Sequence, residues 1–137
     1  MTPLINIDVP DLAAAVRFYR AAFGLTPTRR IGDAAVELAG WPTPVYLLQR
    51  GEHTSTAGRA RRSYARHWTP LHFDVVVDDI RTARDRAAAA GAVVEGEIAA
   101  ADWGSIVALS DPFGHGFCLI QFHGDGYGAI STAADDL

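Results

Sequence analysis

The chain has 137 residues, of which 49% are hydrophobic and 20% charged, and its net charge is −4 at neutral pH. This composition supports a buried core, and an acidic protein without a basic field is not expected to bind nucleic acid. The single cysteine excludes an intramolecular disulfide, and the sequence shows neither a secretion signal nor an apolar run of the ~18–20 residues that span a membrane, so we expect a cytoplasmic protein that binds no membrane.

The first predicted strand is the alternating segment from Leu4 to Val9. Asp11 follows it and can cap a helix whose apolar positions recur at helical spacing; these are Leu12, Val16, Tyr19 and Phe23. Gly24 stands where that helix would end in a left-handed turn. Three more strands are predicted over 26–31, 34–38 and 45–49.

The second half of the chain repeats this plan. His72 to Val77 alternates, and Asp79 precedes an Ala-rich helix that ends at Gly91. Asp11-Leu12 recurs as Asp79-Ile80 68 positions later, and the closing strand of the first half recurs over 117–121, 72 positions later. With strands over 93–98 and 105–109 between them, the pattern predicts two tandem βαβββ modules of the α+β class.

We expect one domain over 1–137, with a first module over about 1–57 and a second over about 67–123. Residues 51–66 form the predicted exposed connector, and 124–137 a small acidic tail. The connector carries four arginines, Arg59, Arg61, Arg62 and Arg66, which are typical of a solvated loop. The alternative is that they attract an anionic ligand.

Neighbouring side chains on a strand face opposite ways, so parity separates two faces. One face is apolar and should pack beneath the helices. The opposite face is mixed, with Asn6, Asp8, Tyr46, Leu48 and Arg50 from the first half and His72, Asp74, Cys118, Ile120 and Phe122 from the second. If the halves curl toward each other, this face lines a cup for a small-molecule ligand; otherwise it is a solvated outer face. The large apolar residues on it favour the cup.

The sequence resembles the vicinal oxygen chelate superfamily from Leu4 to Phe122. Three stretches carry the resemblance: Val9-Pro10-Asp11-Leu12 with the aromatic helix after it, His72 to Ile80, and Asp111-Pro112-Phe113-Gly114. The resemblance implies a curved, cup-shaped mixed sheet with the helices on the outside. It also implies a homodimer, which we expect here.

Metal-dependent members of that superfamily hold their ion at four positions, which the resemblance places on Leu4, Tyr46, His72 and Cys118. Leu4 has no donor atom, and only His72 is a usual ligand type. We therefore predict no metal ligands and no cofactor, although a divalent metal held through His72 stays open because Asn6, Asp8 and Asp74 share its face.

His72 is the predicted general acid or base, with Asp74 or Asp8 stabilising its charged form. The alternative is a histidine that only hydrogen-bonds across the sheet. The ligand-binding positions are the other eight mixed-face residues. Two functions follow: a glyoxalase- or dioxygenase-like protein acting on an unidentified small organic molecule, or a non-catalytic binding protein of the bleomycin-resistance type. We assign no role to His115.

Overall fold

Two helices and nine strands are formed by residues 1–134, which a computed structural model describes. The first sheet contains β1 (Ile5–Val9), β2 (Thr26–Ile31), β3 (Ala35–Ala39) and β4 (Val45–Gln49). The second contains β5 (Phe73–Val76), β6 (Val93–Val94), β7 (Ala99–Ala101), β8 (Gly104–Ser110) and β9 (Gly116–Phe122). Helix α1 (Leu12–Phe23) follows β1, helix α2 (Ile80–Ala90) follows β5, and a 3-10 turn spans Gly126–Ala129.

Both sheets have the same strand order. The first runs β1-β4-β3-β2 and the second β5-β9-β8-β6, with β7 also beside β8. The pairs β1–β4 and β5–β9 are parallel, and the other pairs are antiparallel. This repeated order confirms the predicted fold of two βαβββ modules with open, curved sheets.

The helices begin and end at the predicted residues. Asp11 accepts the N–H of Ala14 at 2.9 Å, and Asp79 accepts the N–H groups of Arg81 and Thr82 at 3.0 Å. These caps satisfy N–H groups that have no partner inside the helix. Gly24 and Gly91 take the left-handed conformation, with φ of 71° and 115°.

The core lies between the sheets and the helices, which also contact each other. Val9, Leu47 and Leu119 point into it from β1, β4 and β9 and are essentially inaccessible. On α1 the buried stripe is turned slightly from the predicted one: Phe18 is buried, whereas Val16 is only half-buried. The apolar face assigned by strand parity is thus the face that packs beneath the helices.

One predicted strand is shorter than expected. Of the strand predicted over 93–98, only Val93 and Val94 form β6, which pairs with β8 at Ser110 and Leu109, while β7 begins after the predicted range and pairs near the other end of β8. The chain between β6 and β7 therefore leaves the sheet, so both stretches are short. None of the helices within residues 1–134 combines the length and apolar character needed to cross a bilayer.

Candidate functional site at the seam between the modules

β1 of the first module and β5 of the second are each the edge strand of their own sheet. Residues of both edges line a cavity of about 480 Å³, here called the seam cavity. The side chains of its wall that concern function are Leu4, Asn6, Asp8, Leu71, His72 and His115. The predicted site residues Asn6, Asp8 and His72, from both halves of the sequence, therefore share one hollow.

His72, Asp74 and Cys118 form a cluster beside this cavity. Asp74 lies opposite Cys118 in the β5–β9 register, and His72 immediately precedes β5. One nitrogen, oxygen or sulfur atom of each residue lies within 4.8 Å of the others. His72 Nε2 is 3.5 Å from Asp74 Oδ1, and about 40% of each of these two side chains is exposed. Strand parity alone had placed these three residues on one face.

The Cys118 thiol is protonated at neutral pH. Burial raises its pKa to about 11, and the neighbouring Asp74 carboxylate adds to the shift. Only 8% of Cys118 is accessible. A thiol in such surroundings is a weak nucleophile and a poor metal ligand, since both roles need the thiolate.

Tyr46 belongs to a separate polar cluster on the first sheet. Its hydroxyl donates to Glu37 Oε2 at 2.6 Å, Thr28 donates to the other oxygen at 2.7 Å, and Arg29 Nη2 lies 2.9 Å from Oε2. These hydrogen bonds lower the pKa of Glu37 to about 2, and the bond from Tyr46 makes the largest contribution to the shift. Sequence reasoning missed Glu37, although its place between Val36 and Leu38 on a predicted strand puts it on the mixed face.

Asp8 is held by the connector. Arg62 Nε lies 2.5 Å from Asp8 Oδ2, and only 16% of the Arg62 side chain is exposed. Arg62 also donates to Thr54, and the Tyr64 hydroxyl donates to the backbone oxygen of Arg50. The connector, which was predicted to be exposed, is thus accessible along most of its length but fastened to the first module at Arg62 and Tyr64.

Six of the eight predicted ligand-binding residues lie outside the lining of the seam cavity: Tyr46 and Cys118, described above, and Leu48, Arg50, Ile120 and Phe122. Leu48 is half-buried on β4, and Arg50 donates to the neighbouring Gln49 carbonyl just after that strand. Ile120 is 1% accessible and so presents almost no surface to solvent. Phe122 packs against Trp103 and Tyr127 at the end of β9, with the Tyr127 ring centroid 4.8 Å away.

A second cavity of about 500 Å³ lies along β5, and its wall includes Ile5, Trp41, Thr43 and Asp74. A third, of about 570 Å³, lies away from the seam, between the start of α1 and the β2–β3 hairpin. We call it the outer cavity; its wall includes Asp11, Leu12, Val16, Arg29, Arg30 and Asp33. Sequence reasoning did not predict it.

Paired βαβββ modules with edge strands at a shared hollow define the vicinal oxygen chelate superfamily, as the sequence resemblance predicted. Residues 4–120 match the family profile described as Glyoxalase-like domain, so the chain belongs to that family. No match was found among curated proteins.

Solved structures of low sequence identity share the fold. The fosfomycin resistance protein FosX from Listeria monocytogenes has a TM-score of 0.72 at 13% identity, covering 96% of this chain and 98% of that chain. Lactoylglutathione lyase from Agrobacterium tumefaciens has a TM-score of 0.63 at 20% identity, covering 88% and 92%. A glyoxalase/bleomycin resistance protein/dioxygenase family enzyme from Burkholderia phytofirmans PsJN has a TM-score of 0.65 at 19% identity, covering 88% and 97%.

The resemblance places the metal ligands of the superfamily's metal-dependent members at Leu4, Tyr46, His72 and Cys118. At these four positions, Leu4 offers no donor, the Tyr46 hydroxyl is committed to Glu37, and the Cys118 thiol is protonated. His72 is then the one ordinary ligand left. Asp74 lies outside those four positions. Together, Asp74, His72 and Cys118 form a group of three potential donors.

Proposed function

We propose that the protein acts on a small organic molecule bound at the seam cavity, with His72 as general acid or base and Asp74 as its partner. The observation that carries the proposal is the placement of His72 in the wall of the cavity with its Nε2 3.5 Å from Asp74. The separation is longer than a good hydrogen bond. In this proposal Asp74 is therefore a neighbouring carboxylate of His72 and not a close hydrogen-bond partner.

The wall of the seam cavity favours a largely apolar ligand with few polar groups. Leu4 and Leu71 are 55% and 86% exposed and present apolar surface there. Asn6 offers both a hydrogen-bond donor and an acceptor. Asp8 is paired with Arg62, so it contributes an ion pair and not an isolated negative charge. Such a mixture of apolar wall and few polar groups is typical of small-molecule sites.

The second candidate is a non-catalytic protein that binds or sequesters a small molecule. It is favoured because polar groups of the mixed face already have protein partners: Tyr46 donates a hydrogen bond to Glu37, and Asp8 forms an ion pair with Arg62. Groups held in this way shape a binding surface but move no proton. Under this alternative His72 contributes a hydrogen bond and the ligand leaves chemically unchanged.

A ligand screen by thermal shift, followed by assay of each hit for chemical change, tests the proposal. His72→Gln should retain binding and lower turnover by roughly 10²-fold or more, the contribution of a positioned acid or base. His53→Gln is the matched control, since His53 is an exposed histidine of the connector. Undiminished turnover in His72→Gln would remove His72 from the mechanism. Hits that never change chemically would favour the binding protein.

The proposal includes a metal-free site in a cytoplasmic homodimer. Protein purified without chelator and analysed for metals should hold far less than one ion per chain. A stoichiometric metal lost in both His72→Gln and Cys118→Ser would contradict the metal-free proposal. The same result would identify the cluster of His72, Asp74 and Cys118 as the metal site.

A further inference from the structure

Asp111 is a buried carboxylate whose two oxygens accept hydrogen bonds from two parts of the chain. Its side chain is inaccessible. Oδ1 accepts the backbone N–H groups of Phe113 and His115, each at 2.9 Å. Oδ2 accepts the Tyr19 hydroxyl at 2.9 Å and lies 2.7 Å from His115 Nδ1. The carboxylate is thus fully satisfied by protein groups.

These contacts determine which nitrogen of His115 carries the proton. An ionised carboxylate only accepts hydrogen bonds, so the short contact to Asp111 requires a proton on Nδ1. The Tyr19 hydroxyl keeps its proton and donates a hydrogen bond to the same oxygen. Burial, followed by the nearby Asp111 carboxylate, raises the pKa of Tyr19 well above its ordinary value. In the neutral imidazole, Nε2 is therefore the nitrogen with the free lone pair.

His115 contributes this ring to the wall of the seam cavity. About 30% of its side chain is exposed, and Nε2 has no hydrogen bond to any residue within 1–134. The Tyr64 ring lies edge-on to the imidazole, with centroids 6.1 Å apart, and the Tyr64 hydroxyl is bonded to the Arg50 carbonyl. The ring is therefore oriented by Asp111 and supported by Tyr64.

The repeated fold does not require this pair. At the offset of 72 residues that relates the closing strands, Asp111 and His115 correspond to Ala39 and Thr43 in the first module. In the first module, the corresponding residues before the closing strand β4 therefore provide neither a carboxylate nor an imidazole. Thr43 also belongs to the second, more apolar cavity, so the corresponding residues Thr43 and His115 line different cavities.

We infer that His115 is a second proton acceptor of the seam cavity, oriented by Asp111, and that the ligand carries a weakly acidic hydroxyl on an apolar skeleton. The inference rests on the proposed function in placing the ligand in this cavity. In the step, the ligand O–H bond breaks, its electron pair stays on the ligand oxygen, and an N–H bond forms at Nε2. The resulting imidazolium lies beside the Asp111 carboxylate, which stabilises it.

The tautomer of His115 can be measured without a ligand, by long-range ¹H–¹⁵N NMR of protein labelled at histidine. We expect Nδ1 protonated and Nε2 unprotonated in the wild type and in Tyr19→Phe, which removes a different donor from the same carboxylate oxygen. Asp111→Asn should invert the tautomer, because its amide can donate to Nδ1. A proton on Nε2 in the wild type would overturn the inference.

The reactivity of Nε2 can be measured with p-nitrophenyl acetate as the probe. Nε2 bonds to the acetyl carbon, p-nitrophenolate leaves with the electron pair of the ester bond, and the acetyl-imidazolium loses its Nδ1 proton to solvent. Water then converts the acetyl-imidazole to acetate and restores the imidazole. Site-resolved mass spectrometry should find His115 acetylated about tenfold faster than His53, because the contact of Nδ1 with Asp111 makes Nε2 the better nucleophile. Acetylation of His115 no faster than that of His53 would overturn the inference.

These results separate the two proposals. An Nε2 that is unprotonated and reactive, together with unchanged turnover in His72→Gln, would retain His115 and reject the assignment of His72. Loss of turnover in His72→Gln, together with a His115 that is not acetylated, would retain the assignment of His72 and reject that of His115. With the screened substrate, His115→Gln should lower kcat by roughly 10²-fold while KM changes little. Because an unfolded fraction would also lower the apparent kcat at constant KM, circular dichroism and a melting temperature close to that of the wild type must show that the variant is folded.

Discussion

At the scale of a single residue, the pKa of Glu37 is determined by the side chains that surround its carboxylate. Three side chains donate to its carboxylate, and its pKa falls from 4.5 to about 2. Because the folded pKa lies below the unfolded one, the ionised form stabilises the fold above pH 4.5. That contribution is lost as the pH falls from about 4.5 to about 2.

Melting temperatures of the wild type and Glu37→Gln should therefore differ most near pH 6 and converge as the pH approaches 2. The exposed Glu97→Gln is the control, and its melting temperature should follow that of the wild type throughout. A difference between the wild type and Glu37→Gln that is constant with pH would show that the cluster does not stabilise the carboxylate form.

Cys118 gives a second prediction at this scale. With a thiol pKa of about 11, about one thiol in a thousand is ionised at pH 8. Iodoacetamide should thus alkylate native Cys118 at least about tenfold more slowly than the unfolded protein, in which the thiol has an ordinary pKa. Asp74→Asn should speed the reaction by removing one cause of the shift. Equal rates in native and unfolded protein would contradict both the burial and the shift.

Single residues were predictable from sequence where their role depends on strand parity. Parity placed His72, Asp74 and Cys118 on one face, because alternation is a property of the strand itself. It could not reveal His115, whose tautomer depends on Asp111, a residue fastened also by Tyr19 from 92 positions away. Nor could parity show that the Tyr46 hydroxyl is committed to Glu37, since that needs the pairing of β3 with β4.

At the scale of elements, the connector and the β8–β9 turn are packed closely at one glycine. Gly114 has a φ of 91°, and a Cβ added there would lie 2.4 Å from the Tyr64 carbonyl oxygen. Arg66, at the end of the connector, also forms an ion pair with Glu95 after β6. The connector is therefore fastened to the second module as well as to the first.

Gly114→Ala should lower the free energy of unfolding by about 1–3 kcal/mol from the backbone conformation alone, and by more because of the clash. Gly96→Ala is the matched control: Gly96 has no positive φ and no atom near its would-be Cβ, so it should change stability by about 0.5 kcal/mol or less. Denaturant unfolding measures both. Equal stability of the two variants would show that the connector does not pack on the turn.

The helices and strands were more predictable from the sequence than the contacts of single residues or the cavities of the whole molecule. The cap residues, the glycines that end the helices and the closing strands follow from local chemistry, and their repetition gave the topology. The shortening of the strand predicted over 93–98 to β6, and the separate strand β7 after it, did not follow, because only pairing with β8 decides which residues stay in the sheet. The attachment of Arg62 to Asp8 likewise joins residues 54 positions apart and has no local signal.

At the scale of the whole molecule, large apolar side chains are exposed around the seam. Leu71, Val76 and Leu4 are 86%, 58% and 55% accessible. Apolar surface of this kind favours burial by a second copy. Sedimentation equilibrium should give a mass about twice the 14.7 kDa of the chain, and Val76→Asp, outside the seam cavity, should shift the equilibrium toward the monomer. A wild type that stays monomeric at high concentration would refute the homodimer.

The two modules repeat in fold but not in chemistry. The second supplies the histidines of the seam cavity, while the first supplies Leu4, Asn6 and the ion pair of Asp8. Strand parity placed Asn6, Asp8 and His72 on one face, and these three line the seam cavity, whereas the other seven predicted site residues do not. Parity could not identify the outer cavity, which arises where the β2–β3 hairpin stands away from the start of α1.

The central claim is that a small molecule binds at the seam, and NMR mapping of a screening hit on isotope-labelled protein tests it most directly. We predict that the signals of Asn6, His72 and His115 shift on titration, while those of Arg29 and Asp33 in the outer cavity do not. Shifts confined to the outer cavity, with the seam residues unmoved, would contradict the account.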